Sequence, residues 1–356
     1  MSDGSTQTAI TGEFTPVFAN DVGADRLIDF ASRVWPDRPP YDRILSCWWR
    51  NAPAECAHAL VHRASDLMVG LCTGRPSEWI IAGHMHPAVS ICDFFVDPRH
   101  GGRLLGRRLL RSFEAPGRLL NAFSISDAGS GFATRMGWKG PYDSALMLMP
   151  LPGIARVAHS LAFRRSDLDM SDHVLHGAQM PDELGADLDR IEAARAGEAT
   201  SRMRRGASEW SWRMSIYPER TYRFCIAYRD AEPVGYVAVR TMTPGRSRQM
   251  GKLRGALITD LVALGDDPAI LRALAVRAIA IASELRAAAA LFVTTSWSHR
   301  QALAAIGFVS PSFPLLGHML ARHAPTYMWR PRGPGAALSA ESMTMTFADS
   351  ALDLDL

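Results

Sequence analysis

Apolar positions along the chain follow two periods, and the sharpest change between them lies within residues 91–113. Ile91-Cys92-Asp93-Phe94-Phe95-Val96 is a run rich in β-forming residues that stops at Pro98 and the pair Gly101-Gly102. Beyond the glycines, Leu104, Leu105, Leu109, Leu110 and Phe113 recur at helical spacing. The pattern predicts a strand, a turn and a helix. Amides at a helix N-terminus point outward, and the helix dipole adds about half a positive charge there. Arg99, Arg103, Arg107 and Arg108 surround the turn. A phosphate or pyrophosphate is the ligand this arrangement suits.

Upstream, Leu27, Ile28, Phe30 and Ala31 share one face of a helix expected over 24–34, with Asp21 as its cap. Residues 57–62 and 67–72 read as a hairpin, and 74–87 as a connection carrying Trp79, His84 and His86. Downstream come a strand over 120–125, a short helix over 130–136 and a closing strand over 144–149. The fold class implied is α+β, a mixed α/β sheet filling residues 1–150. Residues 151–200 read as a helical connector, with a helix over 182–195.

The pattern then restarts. Arg50 and Arg213 follow tryptophans, Gly70 and Gly235 sit in similar strands, Asp93 and Asp260 in similar apolar runs. Gly137 and Gly307 each precede an aromatic residue. The offsets are 163, 165, 167 and 170 residues, in the same order along the chain. So small a drift points to an internal duplication. A second domain therefore spans 201–330, and 331–356 is left as a tail or edge strand.

Composition narrows the classes. With 39 basic and 36 acidic side chains among 356 residues, the net charge of +3 gives no case for nucleic acid as a partner. The five cysteines lie in no paired or metal-like spacing, and no metal is expected. Reduced thiols and no targeting pattern at residues 1–11 fit a cytoplasmic protein, and no apolar run is clean enough for a membrane.

Val96-Asp97-Pro98 followed by Gly101-Gly102-Arg103-Leu104-Leu105-Gly106 resembles the signature of the GNAT superfamily of acyl-CoA N-acyltransferases. Arg135-Met136-Gly137-Trp138 resembles that family's later Gly-aromatic motif. The tandem layout is similar to acyltransferases associated with bacterial polysaccharide biosynthesis. The resemblance implies two GNAT-like domains, each a mixed and mostly antiparallel twisted sheet flanked by helices. It implies acetyl-CoA or another acyl-CoA as co-substrate and a small-molecule amine as acceptor, and it leaves a homodimer open. Backbone amides of Phe94, Phe95 and Val96 would bind the thioester, and those from Gly101 through Gly102, Arg103, Leu104 and Leu105 to Gly106 would hold the pyrophosphate with Arg107 beside them. An amine would attack directly, with a base for its proton and an acid for the thiolate.

Asp93 and His86 are the candidate bases and Ser130 a candidate acid, alongside Ser126 and His84. Each has a plainer reading. Asp93 is repeated by Asp260, where no phosphate loop exists, and Ser130 suits a helix cap. Cys92 would face away from Asp93 in a regular strand, buried and inert. The sequence departs from the family at Gly101, Leu104 and Ala133, the last standing where a tyrosine acid is usual. In the second copy Asp266, Asp267 and Pro268 replace the loop, with Asp267 expected to cap a helix over 269–287. Two other readings stay open: a non-catalytic pair serving as a CoA-binding or scaffold module, and aminoacyl transfer from charged tRNA.

Overall fold

The run at 91–96 folds back on the one before it. Leu67–Ile81 and His84–Val96 form one long antiparallel hairpin, turning at Ala82 (φ +50°) and Gly83 (φ +78°). Two successive positive φ values match the twist of the flanking strands. The stretch 74–87 is therefore strand rather than connection, because Trp79 and Ile81 bury against the core while Pro76 and Pro87 pair across the hairpin. The architecture is that of a computed structural model, which describes residues 14–36, 57–62, 66–100, 102–123, 125–151, 168–177, 179–216, 220–242, 254–309, 324–346 and 348.

Fifteen strands are described. β1 to β5 are Phe14–Phe18, Ala57–His62, Leu67–Ile81, His84–Val96 and Leu119–Phe123. β6 to β10 are Lys139–Asp143, Ala145–Pro150, Asp169–His176, Ser201–Met203 and Thr221–Arg229. β11 to β15 are Glu232–Thr241, Gly255–Ala263, Ala289–Thr294, Thr326–Trp329 and Met343–Thr344. The helices are α1 (Ala19–Val22), α2 (Ala24–Val34), α3 (Gly102–Arg111), α4 (Asp127–Arg135), α5 (Asp182–Ala194), α6 (Ala207–Ile216), α7 (Pro268–Glu284) and α8 (Trp297–Ala304). Asp21 lies inside α1 instead of capping α2, whose cap position is Gly23.

Two mixed sheets result, the first in the order β1-β2-β3-β4-β5-β14-β6 and the second β7-β13-β12-β11-β10-β8. Most neighbours are antiparallel; the parallel pairs are β4 with β5 and β15 with β9 in the first sheet, and β12 with β13 in the second. Leu105, Leu109, Leu110 and Phe113 of α3 and its following turn pack on one face of the first sheet, and Leu27, Phe30 and Ala31 of α2 on the other. Leu104, placed on the apolar face by its spacing, is 68% exposed.

The sheets do not respect a cut at residue 150. β7 leaves the first half and lies antiparallel to β13 in the second sheet, where Met147 and Met149 are fully buried in the core beneath α7. β14 returns the exchange by inserting between β5 and β6 of the first sheet. Tyr327 and Trp329 face a core shared by both sheets, with Leu257, Leu291 and Trp79. The segment beyond 330 is no free tail, since β15 pairs with β9.

The duplication is visible in the backbone. Cys92 and Asp93 of β4 sit opposite the single residue Thr73, and β12 has the same register shift at Asp260. The second copy's slot is filled from within. Thr346 bridges Thr294 at the end of β13, and Met345 accepts a hydrogen bond from the Thr295 N–H at 3.1 Å. Asp260 is fully buried, accepting from Arg205 (3.0 Å), the Tyr236 hydroxyl (2.6 Å) and the Thr346 hydroxyl (3.0 Å). At the loop, Glu198 takes the Gly265 N–H, while Asp267 takes those of Ala269 and Ile270. Asp267 thus caps α7 as expected, and carboxylates of the chain occupy the amides that a phosphate would need.

Two outcomes follow from this packing. Trp329 is fully buried, stacks on Tyr142 at 5.0 Å and donates to the Gly335 carbonyl at 3.2 Å. Trp329→Ala should cost about 3–5 kcal/mol in chemical denaturation. Because each sheet holds a strand of the other half, the loss should shift one cooperative transition; two separate transitions, only one of them moved, would contradict the exchange. His299 is 2% exposed beside the Thr294 hydroxyl, and burial lowers its pKa from 6.5 to about 4. The unfolded chain takes this proton near 6.5 and the folded one only near 4, so stability present above pH 6.5 is lost as pH falls between those values. His299→Gln should therefore flatten the drop in the urea midpoint between pH 7 and pH 5.

Candidate functional site

β4 and β5 pair only over Ala88–Ile91 and Leu119–Ala122. β4 then runs on to Val96 while β5 ends at Phe123, and a cavity of about 500 Å³ opens where they part. On its other edge β4 stays bonded to β3, so the edge from Cys92 to Val96 that faces the cavity meets no strand among the described residues. Such an edge presents amide donors to whatever fills the gap.

The bulge turns Asp93 and Cys92 together into this cleft. The Thr73 hydroxyl accepts from the Asp93 N–H at 3.1 Å and donates to its carboxylate Oδ2 at 3.2 Å. Asp93 is half-buried, in contrast to the sealed Asp260. Cys92 is also half-buried and lines the cleft, so strict alternation, which places it behind the sheet, fails at the extra residue. Cys72 lies beside both, and burial pushes its thiol well above the ordinary value, which keeps it protonated.

Phe94, Phe95 and Val96 all line the cavity. Phe94 stacks on Phe132 of α4 at 5.1 Å, and Phe95 meets Trp35 edge-on at 6.2 Å. β4 reaches Val96 on the cavity wall, and helix α3 begins six residues on, with Gly102, Arg103, Leu104 and Leu105 in its first turn and Leu110 lining the cavity. The N–H groups of Gly102, Arg103 and Leu104 precede the intrahelical ladder, which the Leu105 N–H is the first to enter. Gly106 lies inside the ladder and offers no free amide. Its role is packing, because a Cβ there would sit 3.1 Å from Phe94 and 3.3 Å from Phe132. Arg107 is exposed on the helix, whereas Arg108 reaches back to the Phe14 carbonyl at 3.0 Å. Arg99 is held by Asp97, whose carboxyl that hydrogen bond keeps below the usual carboxylate range. Gly101 falls outside the described residues, as do Trp48, Trp49 and Arg50.

Other candidates lie elsewhere. His84 opens β4 and His86 pairs with Trp79 near the hairpin turn, seven residues from Asp93, which on a strand is about 23 Å. Ser130 sits within α4 and donates to the Asp127 carbonyl at 3.0 Å. Ser126 is the cap, accepting from the Gly129 N–H at 3.2 Å, and it lines the cavity. Tyr142 stacks on Trp329, outside the cleft. Trp210 and Arg213 are buried structural groups, with Arg213 over the Trp210 ring at 5.6 Å.

The residues that sequence reasoning missed are Trp35, Phe132 and Trp138. Trp138 is 5% exposed, lines the cavity, and its indole N–H has no partner among the described residues. The Gly-aromatic motif at Gly137-Trp138 holds that signal, but as a repeat anchor and a family motif it assigns Trp138 no place in the cleft. Among the described residues no group of three His, Cys, Asp or Glu side chains could hold a metal, and no helix is long and apolar enough to cross a membrane.

No protein-family profile matches the sequence, and no curated protein matches it. Solved structures do. A GCN5-related N-acetyltransferase from Kribbella flavida has a TM-score of 0.55 at 16% identity, covering 92% of this chain and 74% of its own. A GCN5-related N-acetyltransferase from Anabaena variabilis has a TM-score of 0.52 at 12% identity, covering 89% of this chain and 72% of its own. The N-myristoyltransferase of Saccharomyces cerevisiae, solved with bound myristoyl-CoA and inhibitors, has a TM-score of 0.55 at 9% identity, covering 90% of this chain and 81% of its own. Identities this low speak for the fold alone. With its two bulged, parting sheets, the chain has the tandem fold of the GNAT acyltransferases.

Proposed function

We propose that the first copy transfers an acyl group from acyl-CoA to an amine by direct attack on the thioester. The observation that carries this reading is the parting of β4 from β5 directly before the N-terminus of α3. An acyl-CoA has the matching shape: an extended amide-bearing arm for the gap and a pyrophosphate for the helix end. In this reading the open edge of β4 receives the thioester carbonyl, whose oxygen gains negative charge as the amine adds. The amides of Gly102, Arg103 and Leu104 receive the pyrophosphate, with Arg107 at the rim.

Asp93 acts as general base in this scheme. It faces the cleft at the point where the strands separate, and its link to Thr73 fixes its orientation. It takes the ammonium proton before or during attack. The family's tyrosine acid is absent because Ala133 occupies that wall, buried and apolar. A thiol is an acid of pKa about 8.5, so a departing thiolate needs little help at neutral pH. Ser126, which spends its oxygen's lone pair on the Gly129 N–H, keeps its own proton to give. The second copy contributes no CoA site in this scheme, since its loop amides and its slot are already filled.

Acetyl-CoA at a hundred times its dissociation constant should stabilise the protein by about 2.7 kcal/mol, read as a thermal shift. Asp93→Asn should keep that shift and lower kcat toward an amine acceptor by about 10²–10⁴-fold. No shift at millimolar acetyl-CoA would refute the reading. Binding without turnover by the native protein would favour the non-catalytic module.

A further inference from the structure

The cleft at Asp93 continues past the point where its strands separate. Ile91 and Ala122 form the last parallel pair of β4 and β5, and both line the cavity. Parallel neighbours need a crossover, so α3 starts past the end of β4 and runs back beside it. Leu110, eight residues beyond Gly102 and about 12 Å down the helix, lines the cavity as well. Ala133 in the last turn of α4 and Trp138 just after it complete this inner end. All five residues are at most 9% exposed and belong to the core that also holds Leu109 and Phe113. The described polar side chains of the cavity, Cys92, Asp93 and Ser126, lie on the bulge of β4 and at the cap of α4.

The sheet keeps the two reactants apart. Cys72 lies in the same core, and a Cβ on Gly74 would meet Phe113 there at 3.1 Å. Thr73 between them therefore points to the opposite face, where it holds the carboxylate of Asp93. Phe95 shares that face, with Phe30 of α2 at 6.1 Å, whereas Phe94 packs towards α3. An amine that gives its proton to Asp93 approaches from the α2 face. The inner end, on the α3 face, is left to the other reactant.

On the acyl-CoA reading, which this step requires, pyrophosphate sits at the first turn of α3 and the thioester at the bulge. The arm then descends the gap towards Ile91, and the acyl group ahead of it enters the inner end. We infer that this group is an apolar chain longer than acetyl, seated among Leu110, Ala122, Ala133 and Trp138. Acetyl leaves those walls unfilled, and each further methylene buried against them tightens binding about fourfold. A chain ending in a carboxylate would bring an ion to a cavity with no cation among its described lining residues.

Isothermal titration of the full chain with acetyl-, butanoyl-, hexanoyl- and succinyl-CoA tests this. Butanoyl- and hexanoyl-CoA should bind at least tenfold tighter than acetyl-CoA. Succinyl-CoA, as long as butanoyl-CoA but ending in a carboxylate, should bind no tighter than acetyl-CoA. Ala133→Phe fills the inner end and should bring hexanoyl-CoA down to the affinity of acetyl-CoA, itself unchanged. Equal affinities for acetyl- and hexanoyl-CoA in the native protein would overturn the inference and leave acyl transfer intact. So would a preference for succinyl-CoA, or a chain-length preference that survives in folded Ala133→Phe. Should that variant not fold, the native series alone decides. No binding of any of these thioesters would remove both the chain-length assignment and the acyl-CoA reading.

Discussion

The candidate site depends on two parallel strands that pair for four residues and then separate. The cause is the bulge at Cys92 and Asp93, where two residues of β4 face the single Thr73 of β3. A bulge bends its strand and increases the local twist, so β4 swings away from β5. The extra residue would leave an unpaired amide, and the Thr73 hydroxyl satisfies it at 3.1 Å. One side chain therefore stabilises the distortion and, through its second bond, orients the carboxylate of Asp93. The gap, the open strand edge and the acidic group share a single origin.

The second copy keeps the same distortion and inverts its contents. Asp260 is sealed with Arg205, Tyr236 and Thr346, a buried charge that is tolerable only because it is paired and hydrogen-bonded. Burial and then the Asp260 charge raise the Tyr236 pKa, which keeps that phenol a donor. The slot beyond is bridged by Thr346, and Ala348 farther along accepts from Arg75 of the first sheet at 3.0 Å. A bulge alone is therefore no site. Among the described residues, what distinguishes the copies is whether the chain fills its own gap.

Fold class, the repeat and the helix caps such as Asp267 were legible because each rests on local spacing. The repeat predicted paired strands, and Gly70 and Gly235 do lie in equivalent strands opposite Val96 and Ala263. What escaped was non-local. Alternation cannot see a bulge, so Cys92 fell on the wrong face. Leu104 reads as a core residue, yet it lies on the exposed face of α3 with Arg107, Arg108 and Arg111, while Leu105 beside it is buried. Residues 74–87 read as a connection, but two long strands run through them, with Pro76 opposite Val89 and Pro87 opposite Glu78. Ser130 suits a cap by sequence, but α4 starts at Asp127, which makes Ser126 the cap and puts Ser130 inside the helix. His86 is close to Asp93 along the chain, and an extended strand makes that separation a distance.

The exchanged strands explain why a copy without a free slot persists. β14 lies between β5 and β6, so without it β6 has no described neighbour in the first sheet. Its Met328 also packs in the core that carries Leu105, Leu109 and Phe113 of α3 and its following turn, the helix whose first turn would hold pyrophosphate. β7 covers the edge of β13 that faces away from β12. Removing either half would expose unpaired strand edges and the shared core of Trp79, Leu257 and Trp329. The second half is thus structural support for the first, given through β14 and not through its own closed cleft.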